Sequence, residues 1–403
     1  MHLSNKLPLG WKWVKLGETC EIIMGQSPPS ITYNIERDGI PFFQGKGDFG
    51  EIYPTARVWC KCPLKIARPG DVLISVRAPV GSVNIANDMS CIGRGLAALR
   101  PNNSLDVLWL FYYLRMHEDQ ISALGKGSTF SAITKTDLDS IFIPLPSLSE
   151  QKRIVARIND LFSRIREAKR LRQEAQQEAE RLWQSVLADT FPKPGTKLPN
   201  GWQWVGLYEV CQHKTGIWGP ESSHPDQGLP IVRSTEIEGF LIRPQTASIR
   251  IVSNDRIEAF KLEAEDILVN KSSGSAHLVG WPAIFEGSIE GKIFLFSNFM
   301  LRLRPNREKI LGWFLLYYLH NPLARSVYLR AQDTTSGLRN LRVNEFMKQL
   351  IPLPTLHEQH KIVAYLKRVY EKIQSLKEAQ MQTEAELQSL EQAILDKAFR
   401  GEL

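Results

Sequence analysis

Apolar residues recur with a four-three spacing in two long stretches of the chain. In the first, Ile154, Ile158, Leu161, Ile165 and Ala168 are followed by Arg172, then by Ala175, Ala179, Leu182 and Val186. In the second, 208 residues further on, stand Ile362, Leu366, Val369, Ile373 and Leu376, then Gln380, then Thr383, Leu387, Leu390 and Ile394. The phase is identical, and the polar interruption falls at the same step. A heptad pattern sustained over about four to five repeats predicts a coiled coil rather than a surface helix. From Ile154 to Val186 such a helix rises about 50 Å, at 1.5 Å per residue. Two equal seams in one chain pack most economically on each other, as an antiparallel pair. Each helix also has a start signal: Ser147 precedes Glu150, and Thr355 precedes Glu358, at the spacing of a capping box. That box gives the repeated Glu-Gln of both helices a structural reading rather than a catalytic one.

Shorter patterns repeat outside the helices. Leu7-Pro8-Leu9-Gly10-Trp11-Lys12-Trp13-Val14-Lys15-Leu16-Gly17-Glu18 returns as Leu198-Pro199-Asn200-Gly201-Trp202-Gln203-Trp204-Val205-Gly206-Leu207-Tyr208-Glu209, with eight of twelve positions identical. The stretch from Ile143-Pro144-Leu145-Pro146 to Ile158 returns as Ile351-Pro352-Leu353-Pro354 to Leu366, with ten of sixteen identical. Between these anchors only echoes remain: Gly70–Ile74 with Glu265–Val269, Leu99–Asn102 with Leu303–Asn306, and Tyr112–Leu114 with Tyr317–Leu319. Self-similarity of this kind marks a duplicated unit. The division it suggests is a globule over 1–148, a helix over 149–191, a second globule over 192–356 and a second helix over 357–403. The ends of the globules agree and the middles differ, as expected of one scaffold holding two recognition surfaces. The expected fold class is α+β: two similar globular α/β domains separated by two long antiparallel coiled-coil helices, with a pseudo-two-fold internal repeat.

Composition narrows the classes. The 403 residues are 43% hydrophobic and 23% charged, ordinary globular usage that excludes a disordered or collagen-like chain. No apolar run approaches the roughly 18 residues that cross a bilayer, and Met1–Leu16 lacks a signal-peptide core, so no membrane and a cytoplasmic location are expected. The five cysteines, at 20, 60, 62, 91 and 211, include no CxxC pair, so neither a disulfide framework nor a zinc site is expected. Cations exceed acids by 50 to 43, and the globules carry the surplus: 15 to 13 over residues 1–148 and 19 to 15 over residues 191–356. A polyanion would be held there rather than by the last helix, whose residues 357–403 carry 7 cations and 8 acids.

Catalytic motifs are missing. Gly125-Lys126-Gly127-Ser128 lacks the leading glycine of a phosphate loop, and His357-Glu358-Gln359-His360 has the wrong spacing for a zinc protease. There is no Gly-x-Ser-x-Gly elbow and no Asn/Asp-Pro-Pro-Tyr/Phe tetrapeptide of an amino-methyltransferase. Asp266 with Glu290-x-Lys292 imitates a metal nuclease only loosely. The chain reads as a binding protein, with neither catalytic nor metal-ligating residues expected.

Together these residues resemble the specificity subunit of type I restriction-modification systems. The resemblance rests on the doubled Leu-Pro-x-Gly-Trp-x-Trp opening, the doubled Ile-Pro-Leu-Pro…Glu-Gln…Ile-Val-Ala helix entry and the terminal Ala398-Phe399-Arg400-Gly401-Glu402-Leu403. Further echoes are Gly25-Gln26-Ser27-Pro28 before Gly39-Ile40-Pro41, and Gly228-Leu229-Pro230-Ile231-Val232-Arg233. It covers essentially the whole chain, although Thr215-Gly216-Ile217-Trp218-Gly219 departs from the commoner Gly-x-Ser/Thr-Pro. The family implies that each globule is a target recognition domain reading one half of a bipartite double-stranded DNA sequence, with the helices as an antiparallel spacer. It implies two methyltransferase subunits that bind S-adenosylmethionine and methylate adenine at N6, and restriction subunits that use ATP and join some assemblies. No cofactor is implied for this chain itself.

Reading bases favours Asn or Gln for adenine and Arg or Lys for guanine, while phosphates accept any basic or hydroxyl group. The candidate DNA-binding residues are polar and loop-borne. In the first globule they are Gln26, Gln44, Lys46, Arg77, Arg94, Lys126, Ser128 and Thr129; in the second they are Lys214, Trp218, Arg233, Ser234, Lys271, Ser272, Ser273, Thr335 and Arg339. Arg77 and Lys271 share the position at a strand exit, before small residues. Arg77→Ala and Arg233→Ala are expected to weaken DNA binding without unfolding. Trp11, Trp13, Trp202 and Trp204 read as core or interface, since half-specific reading should not repeat. Two other classes compete. A coiled-coil adaptor whose globules bind protein would leave partner activity independent of DNA, and a self-sufficient DNA-modifying enzyme would bind S-adenosylmethionine alone.

Overall fold

The structure, a computed structural model, describes residues 7–125, 132–193, 196–222, 224, 227–287, 291–330, 332–335 and 338–403. The chain forms two compact units, Met1–Arg172 with Met381–Leu403, and Gln173–Gln380. Each long helix, Leu148–Thr190 and Leu356–Phe399, contributes one part to each unit.

The doubled motifs turn out to be partners. In the first unit, strand Lys12–Lys15 runs antiparallel to Phe142–Leu145, with Trp13 opposite Pro144. In the second, Gln203–Gly206 pairs with Leu350–Leu353, with Trp204 opposite Pro352. The Trp-x-Trp opening and the Pro-Leu-Pro helix entry are thus two edges of one clasp, which is why both are repeated. Each opening strand is aimed by the same turn. Trp11 and Trp202 donate their N–H to the carbonyls of Pro8 and Pro199, both at 3.1 Å. Gly10 and Gly201 occupy positive φ (85° and 83°), where a side chain is strained.

Behind the clasp lies an antiparallel sheet. Its order is Cys20–Met24, Leu96–Pro101, Val72–Ser75, Val83–Ile85 in the first unit. The matching strands of the second are Cys211–Thr215, Met300–Pro305, Ile267–Asn270 and Pro282–Ile284, extended by Leu241–Ile242, which pairs parallel to Pro282–Ile284, and by Ile237–Glu238. Helices Val107–Met116 and Gly312–His320 are apolar almost all round, as befits helices enclosed on every side. Each packs in one cluster with its sheet and with long-helix residues, including Ile154 and Ile158 in the first unit and Leu187 and Leu366 in the second.

Buried polar groups repeat as well. Asp71 is held bidentately by Arg100 at 3.0 and 2.8 Å, and Asp266 by Arg304 at 2.8 Å on each oxygen. Asp266 is therefore structural, and its likeness to a nuclease carboxylate ends there; Glu290 lies outside the described residues. Gln151 and Gln359, both fully buried, latch each long helix to the loop before the enclosed helix. Gln151 Oε1 accepts from the Asp106 N–H at 2.8 Å, and its Nε2 donates to Ser104 O and Pro146 O at 2.9 and 3.0 Å. Gln359 repeats all three bonds, with Leu311 N–H, Lys309 O and Pro354 O, at 2.9, 2.9 and 3.0 Å. The capping box is complete at Thr355–Glu358, each residue bonding the other's N–H. At Ser147 only the hydroxyl half forms, because Glu150 turns to Arg153.

The helices pair antiparallel in each unit. Lys169 meets Glu391 at 2.7 Å and Arg172 meets Glu384 at 2.5 Å in the first; Lys377 meets Glu180 at 2.8 Å in the second. The seam is only in part the one the apolar pattern suggests. Ile158, Ile165, Ala179 and Val186 are in it and Leu161 packs at its edge, but Ala175 and Leu182 are exposed, and Phe162 and Trp183 are its buried anchors. The reason is bulk: Phe162 meets Tyr112 and Trp183 meets Tyr317 of the enclosed helices, and both anchors lie on the first long helix, one residue beyond the expected apolar positions. The middle of the seam is consequently closed by ion pairs. Helix ends are exchanged between repeats: Phe399 packs on Trp109 and Tyr113, as Phe191 packs on Phe314 and Tyr318.

Candidate nucleic-acid interface

Where the central strands end, the two units share one hydrogen-bond frame. Gly25 N–H bonds Leu96 O as Gly216 N–H bonds Met300 O, and Gln26 N–H bonds Ile92 O as Ile217 N–H bonds Phe296 O. Gly93 N–H bonds Phe43 O as Ser297 N–H bonds Val232 O. Val76 N–H bonds Gly95 O as Lys271 N–H bonds Phe299 O. The frame sets positional equivalence: Ser27 with Trp218, Gln44 with Arg233, Arg77 with Ser272, Arg94 with Asn298, and Gly95 with Phe299. The departure at Thr215–Gly219 therefore leaves the bonds of Gly216 and Ile217 in place. At Gly25 and Gly216 a Cβ would lie 2.1 and 2.2 Å from a backbone oxygen, so both must be glycine.

The side chains on this frame differ. In the first unit Ser27, Gln44, Lys46, Arg77 and Arg94 line one open cleft of about 630 Å³. Arg77 is set by an antiparallel bridge to Ala132, and the Arg94 N–H donates to Ser27 Oγ at 3.2 Å. Both guanidinium side chains are exposed, and among the described residues neither joins an ion pair. Lys46 is held by Glu118 at 3.1 Å. Gln26 is exposed beside Ser27 but does not line the cleft. Lys126, Ser128 and Thr129 lie outside the described residues.

In the second unit the candidates fall into two groups. Ser272 and Ser273 form a strand against Leu338–Leu341, opposite Asn340 and Arg339, and Gln332–Thr335 borders it on the other side, bringing Thr335 and Arg339 to the same small sheet. Ser272 Oγ donates to Asn340 Oδ1 at 2.6 Å, and Arg339 is exposed. Lys271 corresponds to Val76 rather than to Arg77; it is half-buried, and burial lowers its pKa. The other group surrounds the first loop. Arg250 lies 4.3 Å over the Trp218 ring, and Lys214 lies 4.5 Å over Phe260. Arg233 is tied by its N–H (2.6 Å) and its guanidinium (3.0 Å) to the buried carboxylate of Glu236, with Ser234 exposed after it. Removing Arg233 therefore strips a buried charge of its partner, a stability effect that Arg77 does not carry.

Residue-by-residue reasoning missed Ser27, Asn298 and the exposed Phe299. The signal was present in the echoes. Extending Gly70–Ile74 against Glu265–Val269 aligns Arg77 with Ser272, and extending Leu99–Asn102 against Leu303–Asn306 backwards aligns Arg94 with Asn298. A separate cleft of about 510 Å³ lies at the other end of the second unit's sheet, lined by Glu209, Glu263, Asp266, Arg304 and Glu308 among others. Its carboxylates make it unsuited to phosphate. Among the described residues, no cluster of ligating side chains could hold a metal ion, and no helix is long and apolar enough to cross a membrane.

Comparison with known proteins agrees with the doubled frame. The chain matches the type I restriction modification DNA specificity domain twice, over residues 8–177 and 199–386. It is 26% identical to the StySPI specificity subunit of Salmonella potsdam, across 99% of this chain and 90% of that one. It is 48% identical to a putative MjaX specificity subunit of Methanocaldococcus jannaschii, across 45% of this chain and 44% of that one. Among solved structures, the HsdS subunit from Thermoanaerobacter tengcongensis aligns with TM-score 0.61 and 31% identity, over 100% of this chain and 99% of that one. A chain from a study of type I R-M complex assembly and conformational transition aligns with TM-score 0.79 and 30% identity, over 99% and 100%. Two matching domains, each built on the same clasp, latch and frame, place this chain in the type I restriction-modification DNA specificity family, whose part is recognition rather than catalysis.

Proposed function

We propose that this chain reads a bipartite DNA target and directs adenine-N6 methylation by partner subunits, each globule reading one half-site and the helices setting the distance between them. The observation that supports this best is the repeated frame with unlike side chains. The backbone bonds persist while Arg77 is replaced by Ser272 and Arg94 by Asn298, the pattern of one scaffold carrying two recognition surfaces. Double-stranded DNA would meet the exposed guanidiniums, with base edges read by the side chains of the frame and phosphates by the surrounding cations. The globules are 1–148 and 192–356 and the spacers 149–191 and 357–403 in this reading.

Partner subunits are assigned to the long helices. Beside the seam, at intervals of seven, lie Leu161, Ala168, Ala175 and Leu182, and on the other helix Val369, Leu376, Thr383 and Leu390. Leu182, Leu376 and Leu390 are 54%, 59% and 47% exposed. Leucines exposed on the long helices in this way suit further helices from two methyltransferase subunits. Those subunits would supply S-adenosylmethionine, and restriction subunits, where present, ATP-driven cleavage. DNA modification of this kind belongs in the cytoplasm. The test is methyl transfer from labelled S-adenosylmethionine to plasmid DNA. The chain with its methyltransferase subunit should label adenine N6, and either protein alone should not. Labelling by this chain alone would assign the chemistry to it and defeat the reading.

A further inference from the structure

Resting on the reading of one half-site per globule, we infer that the two faces read different base chemistry: the first specifies guanine through Arg77 and Arg94, and the second specifies A·T pairs through Asn298 and the aromatic rings of Phe299 and Trp218.

The frame makes the comparison position by position. In the first unit two of the five framed positions carry guanidinium groups, and both line the cleft. Each is fixed at the backbone, Arg77 by its bridge to Ala132 and Arg94 by Ser27. Neither is neutralised by a carboxylate among the described residues, so the fork of donors is available. A guanidinium fork matches the O6 and N7 acceptors of guanine in the major groove. Gly95 lies tight against the Gln44 backbone, where a Cβ would stand 2.2 Å from Gln44 O, so no side chain rises between the two arginines from this position.

In the second unit no framed position offers a cation in that state. Arg233 is bound to Glu236, and the Ser272 hydroxyl is spent on Asn340. Where the first unit has Arg94 and Gly95, the second has Asn298 and Phe299, on a turn closed by the bond from Met300 N–H to Ser297 O. The Asn298 carboxamide is exposed; its Oδ1 accepts from Ser297 Oγ at 3.3 Å and keeps a second lone pair, and its two N–H donors complete the match to N6 and N7 of adenine. Phe299 is 47% exposed and Trp218 39%, with Arg250 backing the Trp218 ring. Exposed rings beside an adenine reader suit the C5-methyl of thymine, the one apolar feature of the major groove. Arg339, on the neighbouring small sheet opposite Ser273, is left for phosphate.

The experiment compares methylated motifs made by the complex of full-length chain and methyltransferase subunit, for the natural chain and for Arg77→Gln, Arg94→Gln, Asn298→Ala and Phe299→Ala. Each substitution is at an exposed side chain, and assembly with the partner is checked for each. The expected result is a half-site containing guanine that relaxes at that guanine with Arg77→Gln or Arg94→Gln, discrimination falling about 5- to 150-fold. Asn298→Ala or Phe299→Ala should relax an A·T pair in the other half only. A substitution that merely removed a phosphate contact would weaken all sequences evenly and lower the salt slope by about one, which would overturn the assignment for that residue. A split motif that stays unchanged in the arginine variants, or whose relaxing half lacks guanine, overturns the inference while leaving the proposed function standing. Absence of any split motif removes the proposed function itself. Should a glutamine variant fail to assemble, Arg94→Ala removes the guanidinium donors outright, and an unaltered motif from it overturns the role given to Arg94.

Discussion

Gln359 shows what the repeated Glu-Gln of the helix entry does in the fold. Its reading in the sequence is structural through the glutamate's capping box, and the glutamine adds a second reason: both polar ends of Gln359 are consumed by backbone groups of Lys309, Leu311 and Pro354. Gln359→Ala would leave the Leu311 N–H and two carbonyls short of a partner, at a cost of about 1–3 kcal/mol. Denaturant unfolding should show that loss, with DNA specificity unaltered in the surviving folded protein. His320 gives a second residue-scale expectation. It is fully buried, its ring bonded to Pro282 O at 2.9 Å, and burial lowers its pKa from 6.5 to about 3. The folded pKa lies below the unfolded one, so its stabilising effect is complete above about pH 6.5 and is lost as pH falls toward 3. His320→Asn should flatten the pH dependence of unfolding across that window, measured at constant ionic strength.

At the scale of elements, the helices were legible because a heptad is a local pattern, and the strand clasp was legible only as a repeat. Nothing in Leu-Pro-x-Gly-Trp-x-Trp says that its partner is the Pro-Leu-Pro more than a hundred residues later; pairing is a long-range fact. The seam phase was partly misplaced because Ala175 and Leu182 continue the apolar period yet are exposed, while the aromatic anchors Phe162 and Trp183 decide the rotation of the first long helix. Site residues were legible as types and not as partners. Arg233 and Arg77 look alike in sequence, and only the fold shows Glu236 under the first. The ion-paired middle of the seam suits a change of length better than an apolar one, since it holds few interlocking side chains. Inserting one heptad after Arg172 and one after Gln380 should lengthen the pair by about 10 Å, at 1.5 Å per residue. That is about three base pairs of B-DNA at 3.4 Å each, so the unread spacer of the target should grow by about three while both half-sites stay the same. Altered half-sites would show that the helices do more than measure.

For the whole molecule, duplication explains the economy of the design. The parts that repeat, clasp, latch, Asp–Arg pair and frame, hold the fold; the parts that differ sit on the frame and face outward. Each unit also borrows the end of the other repeat's helix, Phe399 in the first and Phe191 in the second, so neither repeat completes its core from its own segment. Positive charge gathers on the globules, where the frame is, and not on the last helix. The most direct test of the central claim is single-molecule methylome sequencing of cells expressing this chain with its methyltransferase subunit. The account predicts one motif in two unlike halves, separated by unread bases, with N6-methyladenine in both halves. An undivided motif, or no new methylation when both proteins are soluble and associated, would contradict it.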